Sequence, residues 1–132
     1  MQITVLKSKL HRATITDCNL HYNGSCAIDG NVLDKAGIHE YEQIHVYNIM
    51  NGHRFITYAI VAQDGSGIIS LNGAAARLGE VGDAVIICSY GEIDESQIKY
   101  HKPKSVYFKK NDSEEYPFPK VFKDRSSVNI IL

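Results

Sequence analysis

The stretch QIHVYNIMNGHRFITYAIVA, Gln43 to Ala62, decides the fold class. Apolar and polar residues alternate through QIHVYNI and again through RFITYAIVA, the period of two that sends successive side chains to opposite faces of a strand. MNG lies between them, and Asn51-Gly52 suits a tight type I′ turn, in which both central residues need positive φ. The stretch therefore reads as a β-hairpin. By the same period Arg54, Ile56, Tyr58 and Ile60 share one face of the second strand, and Phe55, Thr57 and Ala59 the other. Arg54 and Tyr58 stand about 13 Å apart along it.

Outward from the hairpin the text stays strand-like. ITVLKSKL and RATIT read as extended segments, and VLDKAG as a short helix ended by Gly37. DGSG (Asp64 to Gly67) is a turn that leads into the short apolar strand IISL. NGAAARL places a glycine before helix formers, so a short helix opens near Ala74, and VGDAVIICSYGEI is a turn followed by a buried strand. Six or so short strands, evenly spaced turns and scraps of helix predict a mainly β protein, a small barrel. At 132 residues it is expected to be one domain. Beyond about Lys99 the composition changes: all three prolines, clustered charge and scattered aromatics fall there. Basic residues interleaved with Tyr100, Tyr107 and Phe108 have the makings of an RNA surface. Acidic Asp112, Glu114 and Glu115 follow at once, which favours a solvated or partner-packed tail over residues 109–132. Its apolar end, NIIL, is expected to dock on a neighbouring subunit.

Composition narrows the function classes. A net charge of −1 gives no global field to recruit nucleic acid or an anionic membrane. No apolar run approaches the roughly 20 residues of a membrane span. MQITVLKSKLHR lacks the continuous apolar stretch of a signal peptide, so the expected location is cytoplasmic. Cys18, Cys26 and Cys88 form no CxxC pair and read as small buried hydrophobes. The six histidines show no metal-binding spacing, and no metal is expected.

HYNGSCAID, His21 to Asp29, admits two readings. One is an ordinary turn. The other is a peptide bond built to break: the Ser25 hydroxyl lies close to the Gly24 carbonyl, and attack there moves the acyl group from nitrogen to oxygen. Amide resonance prevents this unless the chain is strained, the oxyanion is stabilised and a nearby group moves protons. Gly24 suits such strain, having no Cβ. The resulting ester can eliminate, which leaves residue 25 as dehydroalanine, and hydrolysis with loss of ammonia gives a pyruvoyl cap.

Five collinear segments separate these readings. KLHR (Lys9 to Arg12), LHYNGSCAID (Leu20 to Asp29), NGHRFITYAI (Asn51 to Ile60), IISLNGAAARL (Ile68 to Leu78) and VGDAVII (Val81 to Ile87) resemble the pyruvoyl-dependent aspartate 1-decarboxylases, over roughly residues 1–108. The resemblance implies a double-psi β-barrel, a homotetramer, and self-cleavage after Gly24 into residues 1–24 and 25–132. It also implies decarboxylation of L-aspartate to β-alanine for pantothenate and coenzyme A synthesis. The cofactor would be a pyruvoyl group made from Ser25, forming an imine with the substrate; pyridoxal phosphate is not expected. By the same resemblance Tyr58 is the proton donor, Thr57, Gly73, Ala74 and Ala75 contact substrate, and Lys9, His11, Tyr22, Arg54 and Asn72 fall at site positions.

The residue types are consistent with those roles. A phenol, with an ordinary pKa of about 10, keeps a proton to give at neutral pH; a strand tyrosine equally often packs a barrel. Arg54 can hold a carboxylate through two parallel hydrogen bonds, and with Lys9 it argues for a diacid, leaving glutamate as the rival substrate. Asn72-Gly73-Ala74-Ala75 lets backbone N–H groups approach a ligand. Thr57 is awkward, since alternation points it away from Tyr58. Either it meets ligand through its main chain or the site wraps around the strand, as a pocket between subunits does. An uncleaved barrel acting as a binding module is the reading from another class.

Overall fold

The computed structural model of the chain describes residues 1–108 and 128–132. Nine strands occur among them: β1 (Gln2–Thr14), β2 (Asp17–Asn19), β3 (Ser25–Asp29), β4 (Gln43–Asn48), β5 (Arg54–Ala62), β6 (Ile69–Asn72), β7 (Ala84–Asp94), β8 (Lys104–Tyr107) and β9 (Val128–Ile131). One α-helix, α1 (Gly30–Ala36), and two short 3₁₀ helices, Gly73–Leu78 and Glu95–Tyr100, complete the elements.

The strands hydrogen-bond in the order β2-β6-β3-β5-β4-β7-β1-β8-β9. Only Ile15 and Thr16 separate β1 from β2, yet the two lie far apart in that order, so the sheet has to curl. The backbone closes it: Thr16 N–H donates to the Ile69 carbonyl at 2.8 Å and Ile15 N–H to the Asp83 carbonyl at 2.9 Å. Two crossings of one kind organise the barrel. β3 is inserted between the consecutive strands β5 and β6, parallel to the first and antiparallel to the second. β1 is likewise inserted between β7 and β8, antiparallel to one and parallel to the other. These two insertions give the double-psi β-barrel its form.

The barrel interior holds Leu10, Ile15, Ile28, Ile44, Val46, Leu71, Val85, Ile87 and Val106, all fully buried. Removing that apolar area from water is the main driving force for the fold. Cys26 and Cys88 are buried as expected, and Cys18 is half-buried; all three are free thiols. Of the three aromatics in the basic stretch, Tyr107 is buried, Phe108 is partly buried against the core and Tyr100 is exposed.

Two local expectations change. α1 begins at Gly30, ahead of the apolar periodicity, because Asp29 caps it through Asn31 N–H at 2.9 Å; Gly37, at φ 69°, ends it as foreseen. The hairpin is real, with Tyr47 paired to Arg54, but its connection spans residues 49–53 and is no type I′ turn. Gly52 has φ 78°, whereas Asn51 is not at positive φ. Asn48 is the reason. It is buried, its amide donates to the Leu78 carbonyl and to Asp83, and its Oδ1 accepts Met50 N–H. That anchoring holds the strand end down and leaves a five-residue loop above it.

At the other end of the chain, the C-terminal apolar segment forms a strand on its own sheet. β9 pairs in parallel with β8 of its own chain, Lys104 opposite Val128 through Tyr107 opposite Ile131. Residues 109–127, the rest of the expected tail, lie outside the described residues. No helix among the described residues is long and apolar enough to cross a membrane.

Candidate active site

The barrel topology brings the two suspect segments together. The parallel β3–β5 register starts with Cys26 opposite Ala59. One residue earlier Ser25 is level with Tyr58, and Gly24 with Thr57. On its other side Ser25 pairs with Asn72 of β6. Before Ser25 the chain leaves the sheet, so β5 from Arg54 to Tyr58 has β4 on one edge only.

A cavity of about 320 Å³ opens at that free edge. Gly24, Ser25, Thr57, Tyr58 and Asn72 border it, with Ala74 and Ala75 from the 3₁₀ turn. Thr57 and Tyr58 point to opposite faces, and both still reach the cavity because it wraps an unpaired strand edge. In the single chain, then, Thr57 and Tyr58 border the same cavity despite their opposite parity. Phe55, Ile56 and Leu78 add apolar wall that the sequence reading did not single out. The alternation of β5 contained the first two, but only the missing neighbour on that edge makes them lining.

Ser25 is 1% exposed. Its hydroxyl donates to the Asn23 carbonyl at 3.3 Å and accepts from the Asn72 amide at 3.2 Å. The thiol of adjacent Cys26 is pushed up to about 12 by burial, so it stays protonated and does not compete as a nucleophile. The glycine that the geometry demands is Gly73 rather than Gly24. Gly73 sits at φ 66°, and a Cβ there would lie 2.7 Å from Gly24 Cα and 2.9 Å from Gly24 N. Gly24 is not in the left-handed region, and a Cβ on it would meet open space. The expectation of an unusual conformation at Gly24 is corrected accordingly: its neighbour turns tightly so that the two backbones can touch.

The other expected site residues lie elsewhere on the chain. Arg54 stacks its guanidinium 3.8 Å above the Tyr47 ring, and the Tyr47 hydroxyl meets that of Tyr90 at 2.7 Å. Burial, and then this contact, push the Tyr90 phenol well up. Lys9 stands on β1 between Cys88 of β7 and Ser105 of β8. His11 leans on Tyr107 with ring centroids 5.4 Å apart. Its Nδ1 is buried with no hydrogen-bond partner among the described residues. Burial, then the charges of Lys9 and Arg12, hold its pKa below the ordinary value. Beside it Arg12 takes φ 61° where the β1–β7 register shifts. Tyr22 is exposed and borders a second hollow with Asp17 and Cys18; Asn72 lies between the two hollows. Among the described residues no cationic side chain lines the Ser25 cavity. Among the described residues no group of three or more His, Cys, Asp or Glu is arranged to hold a metal.

The sequence profile of the aspartate decarboxylase family matches residues 1–115. The chain belongs to the aspartate decarboxylase family. It is 59% identical over 112 residues to the aspartate 1-decarboxylase of Methylococcus capsulatus, 85% of this chain and 89% of that one. With the aspartate 1-decarboxylase of a Marinomonas species it shares 55% over 115 residues, 87% and 91% of the two chains. Among solved structures, a computationally designed protein, msDPBB_sym2, overlaps 66% of this chain and 99% of its own, with 15% identity and a TM-score of 0.44. The family assignment rests on the sequence matches and the fold on the strand order above.

Proposed function

We propose that this member of the aspartate decarboxylase family matures by cutting itself between Gly24 and Ser25, and then converts L-aspartate to β-alanine and carbon dioxide. One observation carries the reading: a buried serine hydroxyl at a strand start forms the wall of a cavity that also exposes Tyr58 and Thr57. In maturation Ser25 Oγ attacks the Gly24 carbonyl carbon, the amide nitrogen leaves with a proton, and an ester joins the two residues. Loss of the Ser25 α-proton then expels the Gly24 carboxylate and leaves dehydroalanine. Water replaces its nitrogen, released as ammonia. The site fits the product, since residue 25 already faces the cavity at the sheet edge, where a cut leaves both new ends free to part.

The pyruvoyl group, once formed, supplies a carbonyl that draws off the electrons released when a carboxylate leaves. The chain's own residues do the rest. Tyr58 keeps a hydroxyl proton in the cavity for return to the substrate carbon, Thr57 orients the substrate, and the Gly73–Ala75 backbone offers N–H donors. Phe55, Ile56 and Leu78 give the cavity an apolar wall beside the reacting centre. A diacid needs a cation, and none among the described residues lines this cavity; Arg54 and Lys9 lie outside it. A homotetramer in which a neighbouring copy supplies that charge satisfies both facts, and exposed Ile56 and Tyr22 offer apolar surface for the contact. Three free thiols agree with a cytoplasmic location feeding pantothenate and coenzyme A synthesis.

The test is product analysis on purified protein given aspartate or glutamate in separate reactions. β-Alanine from aspartate, little release from glutamate, and no activity in Ser25→Ala support the reading. Turnover by Ser25→Ala, or faster release from glutamate, contradicts it.

A further inference from the structure

Ser70 lies two residues before Asn72 on β6 and therefore shares its strand face. Its hydroxyl donates to Asn72 Oδ1 at 2.8 Å, and the Asn72 amide nitrogen donates to Ser25 Oγ at 3.2 Å. All three side chains are buried. With Oδ1 engaged by Ser70, the amide turns its N–H, and not its oxygen, towards Ser25. Burial makes that choice matter, because an unpartnered amide oxygen here would cost its full desolvation.

An N–H donor on Oγ is poorly suited to the first step of maturation, since it occupies a lone pair of the attacking oxygen. It is well suited to the second. After the acyl shift the same Oγ is the ester oxygen. A base removes the Ser25 α-proton, the Cα–Cβ bond becomes double, the Cβ–Oγ bond breaks, and its electron pair comes to rest on the new Gly24 carboxylate. A donor already aimed at Oγ strengthens as that oxygen gains charge. The ester has a competing fate. Water can attack its carbonyl carbon, giving the same Gly24 carboxylate but a larger fragment that begins with ordinary serine.

We propose that Ser70 is a positioning residue for maturation: by holding the Asn72 amide it steers the ester towards elimination and away from hydrolysis. The inference rests on the reading of Ser25 given above. Without the Ser70 hydroxyl the amide is free to turn, and elimination should slow about tenfold, the effect of losing one hydrogen bond to a developing charge.

The experiment compares full-length wild type with Ser70→Ala, Ser70→Cys and Ser70→Thr. Splitting is followed on denaturing gels with and without hydroxylamine, which cleaves esters, and the larger fragment is weighed by mass spectrometry. In Ser70→Ala a hydroxylamine-sensitive species should accumulate and the serine-initiated share should rise. Ser70→Cys, a weaker donor of similar size, should lie between, and Ser70→Thr should restore the wild-type share. Wild-type rates and pyruvoyl yield in Ser70→Ala and Ser70→Cys overturn the inference alone. So does slower splitting with no ester build-up and no serine-initiated fragment, which is the signature of a packing role. A wild type that never splits overturns the reading of Ser25 itself, and this inference with it.

Discussion

Replacing Gly73 by alanine puts a methyl group where the structure has none to spare. The residue stands at φ 66°, and the added Cβ would fall 2.7 Å from Gly24 Cα, 2.9 Å from Gly24 N and 3.1 Å from the Tyr22 carbonyl oxygen. The left-handed conformation costs an alanine about 1–2 kcal/mol. The clash is with backbone on all three contacts, so no side chain can swing aside, and overpacking of this kind costs about 1–3 kcal/mol more. The sum, about 2–5 kcal/mol, should lower the melting temperature by on the order of 10 °C. The alternative is for residues 22–24 to move away, which would carry the Gly24 carbonyl off the Ser25 hydroxyl and stop maturation. Gly24→Ala is the matched control, because its Cβ meets nothing and its φ is not positive. Thermal unfolding and a denaturing gel read both variants. Gly73→Ala should lose stability, processing or both, while Gly24→Ala should melt like the wild type. A Gly73→Ala protein that melts and splits normally would refute the packing argument.

Asp29 accepts Asn31, Gly65 and Gly67 N–H groups, tying α1 to the turn before β6. Asp29→Ala should therefore cost about 2–4 kcal/mol in denaturant unfolding. Burial alone would raise its pKa, but these donors outweigh it and hold the carboxyl below the ordinary range. Its stabilisation is thus complete above about pH 4, is lost as pH falls through the folded value, and should be missing from the acid limb of Asp29→Asn. His11 runs on the same sign for a different reason: the folded state disfavours its proton, so stability should fall as pH drops below about 6.5. His11→Phe should flatten that slope in melting curves, and an unchanged slope would assign it to another group. Tyr58→Phe should split normally yet turn over aspartate about 10²–10⁴-fold more slowly, as loss of a general acid does. Unchanged kcat would remove Tyr58 from the proton transfer.

The strands were legible because each alternates within itself: the two halves of Gln43 to Ala62 became β4 and β5. The loop between them was misread because Asn51-Gly52 carries a local turn preference, whereas Asn48 is held by Leu78 and Asp83, thirty or more residues away. No local period could reveal that β3 enters between β5 and β6, and that insertion is what sets Ser25 beside Tyr58 and Asn72. The same ignorance produced the Thr57 difficulty, since alternation assumes a strand with neighbours on both edges. Ser25, Gly24, Thr57, Tyr58, Asn72 and the alanines do border one cavity, and Arg54, Lys9 and His11 do not. Ser70 escaped notice because a buried serine beside an asparagine has no sequence signature; only the hydrogen bond between them gives it a part.

The most direct measurement is the intact mass of the purified, denatured protein. A chain matured as argued yields two species, residues 1–24 ending in a free carboxylate and residues 25–132 beginning with a pyruvoyl group in place of serine. A single full-length mass in protein that releases carbon dioxide from aspartate would contradict the account at its root.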